Sequence, residues 1–408
     1  MALNPEEMKR RRQAAAQKRQ LQQQMRKKLL RKILLAAVLA VVAVVAVIII
    51  VAVSKPKPKA PATADQLTTI HLAAAGDLNI SDRVIEAGGP EMDYSNLFMD
   101  VAHLLADADI SVVNYEGVLC GDPYGESKSA PLALMQALSD AGVDLVQLAN
   151  SYSIYNGISG LVTTVDNVRA AGMEPVGVYK NNQAFEDNGG FTLCEVEGIK
   201  IAFVAFTKGM DGMALPEGIE HCGNILYSDY ASTYQEIDKD RITKVLDAVK
   251  EEQPDITIAL LHWGSEFNDT LSASQQTILA LMQENGVDGI IGTHSHYVQQ
   301  MELDEKTGKF VAFSLGDFVS DSQRSGSDYS VVLNLEITKN QVTGETKITG
   351  FDYTPIYTVA EEGKYMRIVR IRETMAAYEG GYINKVSDAT YEGIKYALER
   401  IDKRIKGE

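Results

Sequence analysis

The sequence contains few cysteines and lacks several well-known catalytic signatures. Its three cysteines, Cys120, Cys194 and Cys222, are too few for a disulfide scaffold, and no two of them form a CxxC pair. There is no GxSxG nucleophile elbow, no GxxxxGK[ST] phosphate loop, no GxGxxG and no HExxH. These absences exclude a cysteine metal cluster and the serine-hydrolase, nucleotide-binding and zincin templates. Any chemistry must therefore come from other residues.

Charge is distributed very unevenly along the chain. The 39 basic and 55 acidic residues give a formal net charge of −16. Residues 1–32 contain eleven basic and two acidic residues, residues 33–53 contain no charge, and the remainder must carry −16 − 9 = −25. This split excludes a simple soluble cytosolic enzyme. It also predicts no nucleic-acid partner for the main body, because an acidic surface repels phosphates.

The uncharged segment Ile33–Val53 is an unbroken run of 21 apolar residues. As a helix it would extend for roughly 31 Å, which matches the hydrocarbon core of a bilayer. A buried core helix is rarely so apolar for so long. A cleaved signal peptide is the stronger rival, because Ala62-Thr63-Ala64 resembles a cleavage site, but the apolar run is longer than such peptides use. We therefore expect a single transmembrane helix at the cell membrane, with a cytoplasmic N-terminus and an extracellular body.

The remaining segments are expected to follow in a simple order. Residues 1–32 form a basic cytoplasmic tail, and residues 54–66 form a Pro/Lys-rich linker that holds the body off the membrane. Residues 67–358 form the main domain. Residues 359–408 form a C-terminal extension, in which Asp388–Lys406 has the apolar spacing of an amphipathic helix.

Strand-like and helix-like segments alternate through the main domain, which predicts an α/β fold. A β-hairpin is expected in Cys194–Thr207, with its turn at Gly198. Helices are expected from Pro131 to about Ala141 and from Ser272 to Gly286. The predicted core strands are Ile70–Ala75, Ile110–Val113, Val143–Ala149, Ile256–Leu261 and Gly289–Gly292.

Polar side chains follow the predicted strands, where ligands bind in open α/β sheets. They are Asp77, Asn114, Glu116, Asn150, His262, His294 and His296. Each one alone has an ordinary explanation as a helix cap, a surface carboxylate or a core histidine. Together, imidazole and carboxylate groups suit zinc, manganese or iron. A His-x-His pair on an extended segment would place both rings on one side, where they could share an ion.

These motifs resemble the capsule-synthesis CapA family, the poly-γ-glutamate capsule proteins, over roughly Thr69 to Thr358. The resemblance rests on Ala75-Gly76-Asp77, Asn114-Tyr115-Glu116-Gly117, Leu148-Ala149-Asn150, Leu261-His262-Trp263-Gly264-Ser265-Glu266, Gly292-Thr293-His294-Ser295-His296 with Gln299, and Ser314-Leu315-Gly316-Asp317-Phe318. The family is similar to calcineurin-like metallophosphoesterases. The resemblance therefore implies a four-layer α/β/β/α sandwich.

The resemblance also implies roles for individual residues. Asp77, Glu116, His262, His294 and His296 fall at metal-binding positions, and Asp317 is a further candidate ligand. Asn114, Asn150 and Glu266 are candidates for a catalytic role. The implied cofactor is a divalent metal, manganese, zinc or iron, as two ions, one ion or none. Two ions could activate a water molecule against a phosphoryl or acyl centre.

The sequence departs from the family pattern in two motifs. The family usually has Ala-Asn-Asn-His followed by Asp and Gly, whereas this chain has Asn150-Ser151-Tyr152 and then Asn156-Gly157. Tyrosine, with an ordinary pKa of about 10, cannot replace histidine in proton transfer near neutral pH. Asp317 also occupies the usual Asn position of the SLGNF motif. Asp317 could compensate for a lost ligand charge, but we favour a weakened or single-metal site.

Three functions remain open from the sequence. The first is an accessory role in the synthesis, export or tethering of an anionic capsular polymer such as poly-γ-glutamate, with other capsule-synthesis membrane proteins as partners. The second is a metal-dependent surface hydrolase or transferase acting on phosphate esters or amides. The third is a metal-free pseudoenzyme that binds cell-wall material. A body of charge −25 would repel a polyanion, so the first function requires a local metal or a cationic groove.

Overall fold

The computed structural model describes residues 66–320, 324–361, 366–382 and 386–408. Residues 65–408 form one compact unit. The predicted basic tail, the predicted transmembrane segment and almost all of the linker lie outside the described residues. Within the described part of the chain, no helix combines the length and apolar character that a membrane crossing needs.

The described residues form a mixed α/β domain built on two β-sheets. The strands are β1 (Leu67–Asn79), β2 (Ile110–Glu116), β3 (Leu145–Gln147), β4 (Glu174–Val176), β5 (Thr192–Val196), β6 (Ile199–Thr207), β7 (Ile256–His262), β8 (Gly289–Thr293), β9 (Met301–Asp304), β10 (Lys309–Ala312), β11 (Asp317–Val319), β12 (Tyr329–Asn340), β13 (Thr346–Val359) and β14 (Arg367–Arg370). The helices are α1 (Asp82–Glu86), α2 (Ser95–Phe98), α3 (Ala102–Ala106), α4 (Leu132–Asp140), α5 (Gly157–Ala170), α6 (Asn182–Asn188), α7 (Lys239–Glu251), α8 (Ala273–Glu284), α9 (Ile371–Glu379) and α10 (Asp388–Ile405).

The first sheet has the order β14-β13-β12-β1-β2-β3-β4, and β11 pairs with the end of β1. The second sheet has the order β5-β6-β7-β8-β10-β9. Strands β1 to β4 run parallel to one another, as do β6, β7 and β8. Their carboxyl ends therefore meet at one edge of each sheet, which is where α/β proteins place their ligands.

Side-chain alternation along the strands shows how the layers are arranged. On β1, Leu72 and Ala74 belong to the core cluster that contains residues of both sheets, whereas Ala73 and Ala75 belong to a cluster with α4 and α5. On β7, alternate residues likewise divide between that central cluster and a third cluster containing α7 and α8. Because successive strand side chains point to opposite faces, the layers follow the order helix, sheet, sheet, helix.

Local sequence explains several of the element boundaries. Ser272 and Gln275 form a capping box at the start of α8, as the predicted Ser272 start requires. Glu197 and Gly198 both have positive φ at the turn between β5 and β6, the geometry of a two-residue hairpin. The C-terminal helix α10 buries Ile394 and Ile401 in the central cluster. Strand β13 continues across position 358, where the main domain was expected to end.

Candidate metal centre

Six buried carboxylate and imidazole groups form two sets of three near the carboxyl ends of strands β1, β2, β7 and β8. The first triad consists of Glu116, His262 and His294, and the second triad consists of Asp77, His296 and Asp317. Within each triad, one potential ligand atom from each residue lies within 4.8 Å of the others. The structure thus brings together all six residues that the sequence predicts as metal ligands, and divides them between two neighbouring groups.

The fold positions these residues through the ends of its parallel strands. Glu116 is the last residue of β2 and His262 is the last residue of β7, so the first triad joins the two sheets. Asp77 lies two residues before the end of β1 and is in register with Asp317, the first residue of the parallel strand β11. The second triad is therefore built from neighbouring strands of one sheet together with the segment after β8.

The expectation that His294 and His296 share an extended segment is wrong. Both residues have positive φ, +87° and +59°, so the chain turns through the left-handed region at each of them. Non-glycine residues rarely adopt this conformation, which costs of order 1–3 kcal/mol and is concentrated at functional sites. The two ring centroids lie 6.3 Å apart, and each ring joins a different triad.

The first triad contains buried atoms with no protein partner. Glu116 Oε1 lies 3.0 Å from His262 Nε2, and the His262 and His294 ring centroids are 4.4 Å apart. Among the described residues, Glu116 Oε2 and His294 Nδ1 have no hydrogen-bond partner although both are buried. Leaving such groups unpaired costs about 1–3 kcal/mol each. A carboxylate oxygen and an imidazole nitrogen left open side by side suit a divalent cation.

The protonation of the first triad also suits a cation. Burial lowers the pKa of His262 to about 4, against the charge of Asp77, and burial lowers the pKa of His294 well below its ordinary value. Both imidazoles are therefore neutral near pH 7, the form that binds a metal. Burial raises the pKa of Glu116, which favours its protonated form unless a cation compensates.

The second triad satisfies itself through an internal ion pair. His296 Nδ1 lies 2.7 Å from Asp317 Oδ1, and Asn79 Nδ2 lies 3.2 Å from the same imidazole nitrogen. Burial opposes protonation of His296, but the charge and hydrogen bond of Asp317 with the charges of Glu116 and Asp77 raise its pKa well above the ordinary value. His296 is therefore an imidazolium paired with a carboxylate.

The two carboxyl groups of the second triad are held partly protonated by their surroundings. Burial and the charge of Glu116 raise the pKa of Asp77 to about 7, against the charges of His262 and His296. Burial raises the pKa of Asp317 to about 6, against the charge of His296. The His296 imidazolium thus offsets part of the negative charge that these two carboxyl groups would carry.

Amide side chains fix the orientation of the carboxylates. Asn114 Nδ2 donates to Asp77 Oδ1 at 2.5 Å and lies 3.4 Å from His262 Nδ1. Asn150 Nδ2 donates to Asn114 Oδ1 at 3.1 Å and to the Tyr115 carbonyl at 2.7 Å. Both amides thus hold the site in place, and the catalytic role expected for them stays a prediction. The same holds for Glu266, which is exposed on the segment after β7.

The residues that depart from the family pattern lie beside the first triad. Ser151 Oγ is 3.1 Å from His262 Nε2, the same imidazole nitrogen that Glu116 contacts. Tyr152 is half-buried, and Lys128 Nζ lies 4.6 Å from its ring centroid. Asn156 is exposed and donates to the Ser127 carbonyl at 3.1 Å. Only Ser151 of these three contacts a predicted ligand.

Sequence reasoning missed two further residues of the site. Thr293 Oγ1 lies 3.1 Å from His262 Nδ1 and fixes that ring from the side opposite Glu116. Asn79 contacts both His296 and Asp317. Asn79 could have been found, because it lies two residues after Asp77 and strand side chains two apart share one face.

Comparisons with known proteins place the chain in a family. Residues 71–322 match the family model described as "Bacterial capsule synthesis protein PGA_cap", and the chain belongs to this family. The matched segment contains both triads. The family resemblance drawn from the sequence motifs is therefore confirmed.

Individual relatives carry related names. The chain is 26% identical over 297 residues to the capsule biosynthesis protein CapA of Bacillus anthracis, covering 71% of this chain and 69% of that protein. It is 21% identical over 327 residues to the PGA biosynthesis protein CapA of Bacillus subtilis, covering 77% and 80%. A probable polyglutamine synthesis accessory protein of Mycobacterium tuberculosis is 22% identical and covers 73% of each chain.

Solved structures with a similar course of the chain include a calcineurin-like phosphoesterase from Bacillus subtilis. It is 13% identical, with a TM-score of 0.44, and the alignment covers 84% of this chain and 99% of that one. A phosphatase from Mycoplasma pneumoniae gives a TM-score of 0.42 at 13% identity, covering 72% of this chain and 95% of that one.

Proposed function

We propose that this protein is a membrane-anchored, extracellular accessory protein for a capsular polymer such as poly-γ-glutamate, with one divalent ion in the first triad. Family membership supports the role in capsule synthesis. The names of the relatives support poly-glutamate as the type of polymer. The apolar segment Ile33–Val53 and the basic residues before it support the anchor and its orientation. Both lie outside the described residues. Partners on the membrane would be other capsule-synthesis proteins.

The observation that carries the metal assignment is the pair of open atoms in the first triad. Glu116 Oε2 and His294 Nδ1 are buried beside His262 without a protein partner. One carboxylate and two neutral imidazoles form a three-ligand set suited to zinc, manganese or iron, with room for an exchangeable ligand. The second triad is closed by its own ion pair of His296 and Asp317. We therefore propose a partly degenerate centre that holds one ion rather than two.

Glu116, His262 and His294 would hold the ion through a carboxylate oxygen and two imidazole nitrogens. A divalent ion in that position would supply a Lewis acid that binds a carboxylate, carbonyl or phosphoryl oxygen. Asn114 and Thr293 orient the His262 ring from its Nδ1 side. Burial of all three residues keeps bulk water from competing for them.

A second candidate function is hydrolysis or transfer at a phosphate-ester or amide bond. The position of His296 favours it, because a protonated imidazole beside the first triad can donate a proton to a leaving group. The replacement of histidine by Tyr152 opposes it, because burial and the nearby carboxylates Glu116 and Glu266 raise the pKa of Tyr152 further. A metal-free binding protein is the third candidate, and it would leave the open atoms of the first triad unexplained.

The capsule role is tested by complementation in a strain from which this gene has been deleted. We expect the wild-type gene to restore cell-associated capsular polymer, and His294→Ala to restore less than about a tenth of it. Lys395→Met, an exposed change on α10, is the matched control. Equal amounts of chain at the membrane must be shown by immunoblot. Normal polymer in the deletion strain would refute the capsule role, and full rescue by His294→Ala would refute the need for the first triad.

A further inference from the structure

Three cations, each held over an aromatic ring, lie near the two triads. Lys128 Nζ lies 4.6 Å from the Tyr152 ring centroid, and Lys208 Nζ lies 4.6 Å from that of Tyr234. The Arg324 guanidinium lies 4.2 Å from the Phe267 ring centroid. Stacking on a ring fixes the position of a cation without neutralising its charge. We call Lys128, Lys208 and Arg324 the cationic rim.

Hydrogen bonds of the backbone and side chains connect the two lysines of the rim to residues of the metal site. Lys128 Nζ donates to the Ile80 carbonyl at 3.1 Å, and the Ile80 N–H donates to the carbonyl of Glu116 at 3.3 Å. The Lys208 N–H donates to the carbonyl of His262 at 2.8 Å, and its Nζ donates to that of Gly264 at 2.8 Å.

Arg324 is tied to the site through a stack of rings. Phe267, which lies beneath its guanidinium, stacks on His296 with 4.8 Å between the ring centroids. The Phe267 N–H also donates to the Ser295 carbonyl at 2.8 Å. The three cations therefore reach the centre from three separate segments of the chain.

Electrostatic coupling agrees with these contacts. The charge of Lys128 lowers the pKa of Glu116, and the charge of Lys208 lowers the pKa of both His262 and His294, in each case as a smaller effect than burial. Two acidic side chains, Glu266 and Asp211, are exposed in the same region. Glu266 raises the pKa of Lys208, although burial lowers it more. The rim is thus a positive region with acidic groups at its edge.

We propose that the cationic rim binds the free carboxylates of a polyanionic chain while one of its oxygens reaches the first triad. This inference rests on the proposed function and adds the residues that would recognise the polymer. It also resolves the conflict between a body of charge −25 and an anionic ligand, because lysine and arginine gather where the polymer must bind.

The test measures the affinity of a γ-linked glutamate decamer for the metal-loaded full-length chain at low and high salt. Lys208→Met and Lys128→Met should each weaken binding about 5- to 10-fold, and the double variant about 50-fold, because a charge-assisted contact contributes about 1–1.4 kcal/mol. Glu266→Gln should strengthen binding. The matched control is Lys395→Met, because Lys395 also lies over an aromatic ring, Tyr391 at 5.5 Å, but on α10.

The outcomes separate this inference from the proposed metal centre. The double variant should still bind metal to the same content as the wild type, which shows that the first triad is intact. Its melting temperature should fall slightly, because the Ile80 and Gly264 carbonyls each lose a donor. Decamer binding that is lost with the metal still bound supports the rim. Equal binding by the double variant and Lys395→Met would overturn the inference. Tripolyphosphate binding that depends on the rim, without decamer binding, would also overturn it, because the ligand would then be a phosphate.

Discussion

Two arginines of the C-terminal helix, Arg400 and Arg404, pair with Asp269, and only Arg404 of these two is buried. The side chain of Arg404 is only 8% exposed, and its Nη2 and Nε lie 3.1 and 3.3 Å from Asp269 Oδ2. Its guanidinium also lies 4.6 Å from the Tyr297 ring centroid and 5.6 Å from that of Tyr329. Asp269 follows β7 closely and Tyr297 follows His296. We therefore predict that replacing Arg404 destabilises the whole domain.

The size of the effect follows from these contacts. Breaking a fully buried ion pair costs about 3–5 kcal/mol. Asp269 is 40% exposed, so we expect the loss of its ion pair with Arg404 to cost only about 1–1.5 kcal/mol. Two ring contacts add about 0.5–1 kcal/mol each. The total is about 3 kcal/mol. At about 2.1 cal/mol/K per residue, the unfolding entropy of residues 65–408 is about 0.7 kcal/mol/K. The melting temperature should therefore fall by about 4 °C.

The assay is thermal unfolding of the full-length chain carrying Arg404→Met, which keeps the apolar stem. The melting temperature of Arg404→Lys should lie between those of Arg404→Met and the wild type, because lysine keeps the charge but cannot form the forked contact with Asp269. Arg372→Met is the matched control, since Arg372 is 58% exposed and lies 3.6 Å from Asp402. An equal melting temperature for Arg404→Met and Arg372→Met would refute the reasoning.

Two further predictions concern the site. A Cβ at Gly76 would lie 1.8 Å from the Gly316 carbonyl oxygen, so Gly76→Ala should cost more than about 3 kcal/mol by urea unfolding. Gly344→Ala is the control: it has open space around the added Cβ and a positive φ, and should cost only about 1 kcal/mol. An equal loss of unfolding free energy in the two variants would contradict the steric argument for Gly76. Metal affinity should weaken no more than about tenfold from pH 7 to 5.5 by calorimetry, since the pKa of His262 is about 4 and burial holds the pKa of His294 well below its ordinary value. Two ordinary imidazoles would lose about 70-fold, and such a loss would show that the site is not built from neutral buried histidines.

Much of the fold could be predicted because strong local signals agreed with it. The hairpin at Gly198, the start of helix α8 at Ser272 and the C-terminal amphipathic helix α10 are confirmed. Helix α5 was not predicted, because Gly157 and Gly160 weaken its helical signal. Leu97, Leu104 and Leu105 have the apolar spacing of one helix, but the chain forms two short helices there, α2 and α3, separated by Met99–Val101.

The site could be predicted as a set of residues but not as an arrangement. Strand ends showed where five of the candidate ligands gather, because parallel strands share one carboxyl edge. The sixth, Asp317, was a candidate only through the family motif, since it begins a strand. Their division into two triads depends on the left-handed backbone at His294 and His296, which no residue type announces. The closure of the second triad depends on a tertiary contact between His296 and Asp317, 21 residues apart. Such contacts leave no periodic signal in the sequence.

The single-ion centre can be tested by measuring the metal content of the purified full-length chain after loading with manganese or zinc, by elemental mass spectrometry. We expect close to one ion per chain, lost in His294→Ala and retained in Asp317→Asn, because the open atoms belong to the first triad. Two ions per chain, with one lost in Asp317→Asn, would contradict the closed second triad. No ion in the wild type would contradict the metal centre itself.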